Sequence, residues 1–294
     1  MHNKNLMRKI TTYILAFASV IVLFSSCKKE YETTEDLDNR NIQAYKSANS
    51  SLTFTDTAGY SYAITEEGSG THVLNSDSVY YSYAFKSLSG TVYNQSSDLF
   101  IPGTFLGYTD RFFINGVPYT FTAIREVLAK LKRGGKANVI LPSNMAFGKN
   151  GLIIGNLPSN EIIMMDLSVY PQSKKHEIND LEINSFIKKN NLTLTKDPSR
   201  AYYSVITPGT GTVPLTASST IKANYTARNL DGTIIDSSSG GVFVNALSGL
   251  YKGWRLNLPG RLTAGGKIRL ILPADLADGQ LIYDFDIEIV EVTN

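Results

Sequence analysis

The sequence writes one long passage twice, and this repetition limits the chain to a fold whose unit is under half its length. "LKRGGKANVILPSNMAFG" (131–148) returns as "LTAGGKIRLILPADLADG" (262–279), with a shared Gly-Gly-Lys, an apolar run ending in Leu-Pro, and a closing Gly. The echo extends outward: "NIQAYKSANSSLTFT" to "EINSFIKKNNLTLT", "SYAITEEGSGT" to "YSVITPGTGT", and "SYAFKSLSGTVYNQSS" to "NYTARNLDGTIIDSSS". Gly90 and Gly232 are 142 residues apart, Gly134 and Gly265 131, and Asp166 and Asp286 120. The first copy therefore carries 11 extra residues before its Gly-Gly and 11 more after its Leu-Pro, lengths that surface loops absorb at small entropic cost.

With 294 residues, 43% of them hydrophobic and only 18% charged, the chain has enough apolar material for two packed units. We read domains at 51–172 and 199–294, a linker with an introductory helix at 173–198, and a tether with an equivalent helix at 27–50. Each unit then reads as strand and turn: Tyr60 to Ile64 and Tyr202 to Ile206, a Gly-rich turn, and the alternating runs Val79 to Phe85 and Ile221 to Ala227. A helix is expected before each Gly-Gly. In "FTAIREVLAKLKRGG" the apolar residues Ile124, Val127, Leu128 and Leu131 form one stripe, and Gly134 is expected to stop it. In "GWRLNLPGRLTAGG" Pro259 and Gly260 shorten the helix, and the Gly-Gly at Gly265 is likewise expected to mark a helix end. The expected class is α+β: in each unit a twisted antiparallel sheet wrapped on one short helix, preceded by another short helix.

The first 26 residues read as an export signal, since Lys4, Arg8 and Lys9 precede the short apolar run "YILAFASVIVLF". Cys27, the single cysteine, follows "SS" where small residues close that run, and the pattern resembles the lipobox of bacterial lipoproteins. This implies cleavage before Cys27 and its acylation; an incidental thiol is the bland alternative. The polar stretch "KKEYETTEDLDN" resembles export tags of surface lipoproteins in Bacteroidetes-like bacteria. The expected place is thus the cell envelope, anchored by lipid to the outer membrane, periplasmic or surface-exposed. Losing the three signal cations takes the formal charge from +2 to −1, which argues against nucleic-acid binding. His2, His72 and His176 are isolated, so no zinc spacing or catalytic triad assembles, and no metal or cofactor is expected.

In the second unit, the order "IKANYT", "DGTIIDSS", "LYKGW", "LTAGGKIRLILPADLADG", "YDFDIEIVEV" resembles the FKBP-type peptidyl-prolyl cis-trans isomerase domain over nearly its whole length. The first unit is similar in fewer blocks: "YYSYAF", "SGTVYNQSS", "LKRGGKANVILPSNMAFG" and "NLPSNEIIMMDLSVY". The resemblance implies an apolar pocket that accelerates rotation about X-Pro bonds in exported proteins, a folding helper without nucleophile or cofactor. It implies a catalytic set of Tyr225 and Asp236 on the walls, Trp254 as floor and Phe285 at the far wall. Ile235 falls where a phenylalanine is usual, and Leu250 and Tyr251 where backbone approaches the ligand. In the first unit it implies binding positions at Tyr83, Tyr93, Phe147 and Met165.

Departures accompany these matches. The flap tyrosine is replaced by Asp278, and a carboxylate there is expected to lose a phenolic hydrogen bond and draw water into the site. In the first unit Asn94 replaces the aspartate and Ile124 falls near the floor tryptophan. On residue type alone Tyr83 and Tyr225 also read as sheet-core tyrosines, Trp254 as a core plug and Asp236 as a turn cap. The leading expectation is a tandem, lipid-anchored prolyl isomerase acting on proline-containing segments of exported proteins. The alternative is a non-catalytic peptide- or partner-binding lipoprotein on the same scaffold, and a third reading is an accessory subunit of a surface uptake complex.

Overall fold

The computed structural model describes residues 32–114, 117–152, 156–238 and 241–294. The signal segment and Cys27 lie outside the described residues, as do three residues of the 148–160 loop.

The protein is α+β, built on two seven-stranded antiparallel sheets of identical order. In the first the path runs Thr55–Asp56, Ser61–Glu66, Lys136–Leu141, Ile163–Val169, Ser78–Lys86, Val92–Gln95, and Gly103–Phe105 pairs with Ser78–Lys86. In the second it runs Thr195–Lys196, Tyr202–Thr207, Lys267–Leu272, Tyr283–Thr293, Thr220–Arg228, Ile234–Ser237, and Phe243–Ala246 pairs with Thr220–Arg228. The duplicated text is therefore a duplicated topology, down to single contacts. Lys86 pairs with Asp166 at 2.5 Å, and its counterpart Arg228 pairs with Asp286 at 2.6 Å. The amide of Tyr83 donates to Ser96 Oγ at 3.1 Å, as that of Tyr225 does to Ser238 Oγ at 2.9 Å.

Alternation along the strands puts one face of each sheet on a helix. Below the first lies α2 (Thr122–Leu128, after α1 at Thr34–Ala48), whose Ile124, Val127 and Leu128 are fully buried with Leu106, Val139 and Met165. Burial of each such side chain stabilises by about 1.5–3 kcal/mol. Below the second, after α3 (Lys175–Lys189), lies α4 (Lys252–Asn257), carrying Trp254 against Leu270, Leu272 and Phe285. Its approach depends on Gly253, since a Cβ there would overlap the Leu272 side chain.

Two expectations about the Gly-Gly segments are corrected. The helix expected to run on to Gly134 ends at Leu128, and Lys132–Arg133 pairs as a strand with Ser69–His72. Gly134 and Gly265, at φ +80° and +82°, form tight turns leading into Lys136–Leu141 and Lys267–Leu272 rather than helix stops. The close passage of the Gly-rich turn explains the second glycine: a Cβ on Gly135 would sit 2.8 Å from the Glu67 carbonyl oxygen.

The introductory helices repeat as expected, and both dock on their sheets. Asp38 of α1 accepts from the Ser143 amide at 2.8 Å, and Asn179, its counterpart in α3, accepts from the Ala274 amide at 3.1 Å. The terminal charges of α3 at Lys174, Lys175, Lys188 and Lys189 are solvated, but its middle is not a free linker. Ile178 packs with Tyr80 and Ile101 of the first unit, while Ile183 and Phe186 pack with Tyr202 and Ile271 of the second.

Candidate functional site

The second sheet and α4 enclose a hollow of about 120 Å³, lined by Tyr225, Ala227, Ile235, Asp236, Phe243, Leu250, Tyr251, Trp254, Tyr283 and Phe285. All seven residues assigned to this unit from sequence meet in it: Tyr225, Asp236, Trp254, Phe285, Ile235, Leu250 and Tyr251. Tyr225 and Ala227 point to one side of the central strand, and Phe285 pairs across to Ala227. Trp254, 3% exposed, forms the floor, edge-on to Phe285 at 5.3 Å and to Tyr225 at 5.6 Å between ring centroids. Its indole N–H has no partner among the described residues. Core-plug and floor are thus one role, since the ring belongs to the core cluster on one side and to the hollow on the other.

The polar edge is built from two phenol–carboxylate pairs. The Tyr225 hydroxyl donates to Asp236 Oδ2 at 2.6 Å, while Asp236 Oδ1 accepts from the adjacent Ser237 amide at 2.8 Å; Asp236 lies within the strand Ile234–Ser237 and lines the hollow, so it does not cap a turn as its residue type suggests. Burial, followed by this bond, pushes the Tyr225 phenol up to about 12. On the other side of Phe285, the Tyr283 hydroxyl donates to Asp278 Oδ2 at 2.6 Å. That bond and then burial raise the Tyr283 phenol well above the usual range. Burial works to raise Asp278 too, but the Tyr283 hydroxyl and the amides of Leu281 and Gln280 outweigh it and hold the carboxyl low.

This geometry corrects the expectation for Asp278. Its side chain does not line the hollow; it accepts from the Gln280 and Leu281 amides at 2.8 and 3.0 Å and closes its own turn. A phenol is present at this edge after all, supplied by Tyr283 from the neighbouring strand. Sequence reasoning missed Tyr283, Phe243 and Ala227. Period-two alternation from Phe285 would have found Tyr283, and from Tyr225 it would have found Ala227.

The corresponding place in the first unit is filled with rings. Phe85, 1% exposed, stands at the position of Ala227 and pairs with Met165 as Ala227 pairs with Phe285. Phe112 sits edge-on to Tyr83 at 4.5 Å and 5.1 Å from Phe85, and Phe121 lies 5.6 Å from Phe85. Phe147 packs on Phe121 at 5.4 Å and on Tyr119 at 5.2 Å. Of the four positions assigned to substrate binding here, Met165 is fully buried, while Tyr83, Tyr93 and Phe147 are half-buried and pack against the same cluster, with Ile124 fully buried among its members. Phe112 and Tyr119 come from a hairpin, Arg111–Ile114 with Val117–Thr120, and Phe121 follows it; this is where the first copy carries its 11 extra residues before the Gly-Gly.

Among the described residues no cluster of three His, Cys, Asp or Glu side chains is arranged to hold a metal, and no helix is long and apolar enough to cross a membrane.

No protein-family model matches the chain. Over part of its length it is homologous to FKBP-type peptidyl-prolyl cis-trans isomerases. The relatives are the proteins named FkpA of three Escherichia coli strains, each 24% identical over 162 residues, which are 55% of this chain and 56% of the relative. The chain thus spans about half the length of the curated relatives it matches. Among solved structures, FkpA from Escherichia coli covers 40% of this chain and 61% of its own at 26% identity, with a TM-score of 0.36. The three FKBP domains of wheat FKBP73 cover 82% of this chain and 99% of their own at 16% identity, with a TM-score of 0.31. A Pseudomonas syringae peptidyl-prolyl cis-trans isomerase covers 42% and 99% at 24% identity, with a TM-score of 0.35.

Proposed function

We propose that the second unit is a peptidyl-prolyl cis-trans isomerase site and that the chain is a folding helper for exported proteins. The observation that carries this reading is the hollow over Trp254, walled by rings yet not filled by them. Rotation about an X-Pro bond must break amide resonance, at a barrier of about 18–20 kcal/mol. The planar imide is polar and well hydrated, and the rotated one less so. An apolar recess that holds the proline ring and excludes water therefore binds the rotated form better than the ground state, and this difference is what accelerates the reaction. In this scheme Trp254 and Phe285 seat the ring, Tyr225 and Asp236 orient the imide, and Ile235, Leu250 and Tyr251 shape the mouth. No proton transfer or covalent intermediate is involved.

The test is proline-limited refolding of a slow-folding protein with catalytic amounts of the full chain. We expect the slow phase to accelerate, and Trp254→Ala to lower the effect more than tenfold. An unchanged slow phase with the intact protein ends the isomerase reading.

A second reading, non-catalytic binding of a peptide or partner, is favoured for the first unit by its filled site and by the exposed Tyr108, Phe113 and Val117 around its hairpin. We further propose two tandem FKBP-like domains at 51–172 and 199–294, anchored in the cell envelope through acylated Cys27. Loss of membrane fractionation in Cys27→Ala would support the anchor; unchanged fractionation would refute it.

A further inference from the structure

The hollow is apolar inside but acceptor-rich at its edge. Tyr225 and Tyr283 both spend their hydroxyl protons on carboxylates, so toward a ligand each oxygen presents lone pairs only. Asp236 and Asp278 are exposed, each bound by one of these two tyrosines, and neither has an ion-pair partner among the described residues. The cations on the surrounding strands are already committed. Arg228 holds Asp286 at 2.6 Å, Arg269 holds Asp284 at 2.6 Å, Lys267 holds Glu288 at 3.2 Å and Lys222 holds Glu291 at 2.5 Å. Lys252 and Arg255 on α4 are exposed and do not line the hollow. Asp236 therefore stands in the lining without an ion-pair partner, Asp278 adjoins the rim through its bond from Tyr283, and the ring-lined interior is too apolar to receive a cation itself.

We propose that this site selects prolyl segments carrying a lysine or arginine next to the proline. The proline ring occupies the recess over Trp254, and the neighbouring basic side chain lays its methylenes along the rim and places its charge beside Asp236 or Asp278. The inference rests on the prolyl-peptide reading of the same hollow but adds the chemistry of the flanking residue, which that reading leaves open.

The test uses the full-length protein and three tetrapeptides, Ala-Lys-Pro-Phe, Ala-Leu-Pro-Phe and Ala-Glu-Pro-Phe, with a second set varied after the proline. Cis-trans exchange is followed by NMR, and binding separately by quenching of Trp254, the only tryptophan. In at least one set we expect the lysine peptide to exceed the leucine peptide by roughly two- to fivefold for each carboxylate it reaches, and the glutamate peptide to fall below both. The preference should collapse between low and high salt, because exposed charges are screened. Asp278→Asn keeps the turn-capping oxygen and should shrink the lysine-to-glutamate ratio.

Equal exchange of all peptides overturns this proposal and leaves the isomerase reading standing. Lysine-selective quenching without exchange sustains the proposal for a binding site and removes the isomerase. Neither quenching nor exchange with any peptide overturns both.

Discussion

Ala227 and Phe85 occupy the same place in the two sheets, and most of what distinguishes the units follows from that exchange. Both strands put a tyrosine two residues earlier, anchored by an equivalent serine, and both pair with the same partner strand. Where the side chain is a methyl group, Trp254 and Phe285 are left with open space above them. Where it is a benzyl group, its ring packs against Phe112 of the additional hairpin and Phe121 just after it. The comparison teaches that a duplicated scaffold can retain its sheet order and several equivalent hydrogen bonds while the same strand position carries a methyl group in one copy and a buried ring in the other. Packing density explains the economy of the change, since an interior has no room for both a ring and a ligand.

The largest expected effect comes from exchanging these two residues. Ala227→Phe should fill the hollow and abolish acceleration of proline-limited refolding while near-native circular dichroism persists; retained acceleration would break the comparison. The reverse change, Phe85→Ala, should destabilise the first unit by about 3–5 kcal/mol in urea unfolding, because its lining cannot collapse onto a missing ring. It should also raise uptake of an apolar probe such as benzene above that of wild-type protein. Next in size is Trp254→Ala, which removes the floor of one recess and should lower isomerase activity by more than tenfold. Ile124→Ala, beneath the filled site, should leave activity unchanged while costing about 2–5 kcal/mol of stability.

How far the sequence discloses this is visible in the same residues. The doubled text discloses the doubled sheet because strand alternation and Leu-Pro boundaries are local patterns, and both survive in each copy. The seven site residues of the second unit converge because each sits on, or just before, a strand or helix whose order the repeat preserves. What stayed hidden was relational. The pair "SYAF" and "NYTA" aligns Phe85 with Ala227, but only cross-strand register shows that this position faces the recess. Eleven extra residues announce a loop, and nothing in their number says that the loop folds back as a hairpin to plug its own unit. Asp278 reads as an intruder in the site because a turn-capping role depends on amides two and three residues ahead, and Tyr283 is absorbed into a strand pattern. The Gly-Gly turns were mistaken for helix stops because positive φ serves both ends equally.

Smaller effects sharpen the contrast at the polar edge. Tyr225→Phe removes one hydrogen bond to Asp236 and should cost about 1 kcal/mol, with only a few-fold change in activity. Its pH signature is more specific. The folded phenol titrates at about 12 against an ordinary value near 10, so the unfolded chain loses this proton first. The contribution is complete below pH 10 and disappears as pH rises toward 12. Urea midpoints of wild type and Tyr225→Phe should therefore converge across that window; a constant difference would mean that neither burial nor Asp236 holds the phenol up.

The smallest expected effect lies between the units. Glu182 of α3 accepts from the Ile101 amide at 2.8 Å and from the Asn179 side chain at 2.9 Å, and Asn179 in turn accepts from the Ala274 amide. This chain of bonds joins the closed unit to the open one through a single helix. Burial raises the Glu182 carboxyl above its ordinary value, more than its hydrogen bonds lower it. The native state thus holds the proton more tightly than the unfolded chain, so its contribution is complete in acid and fades as pH climbs past the usual carboxylate range. Glu182→Gln is neutral throughout and should flatten that slope, read as thermal midpoints from pH 4 to 7. A slope unchanged by the substitution would show that the helix couples the two units through Ile178, Ile183 and Phe186 alone.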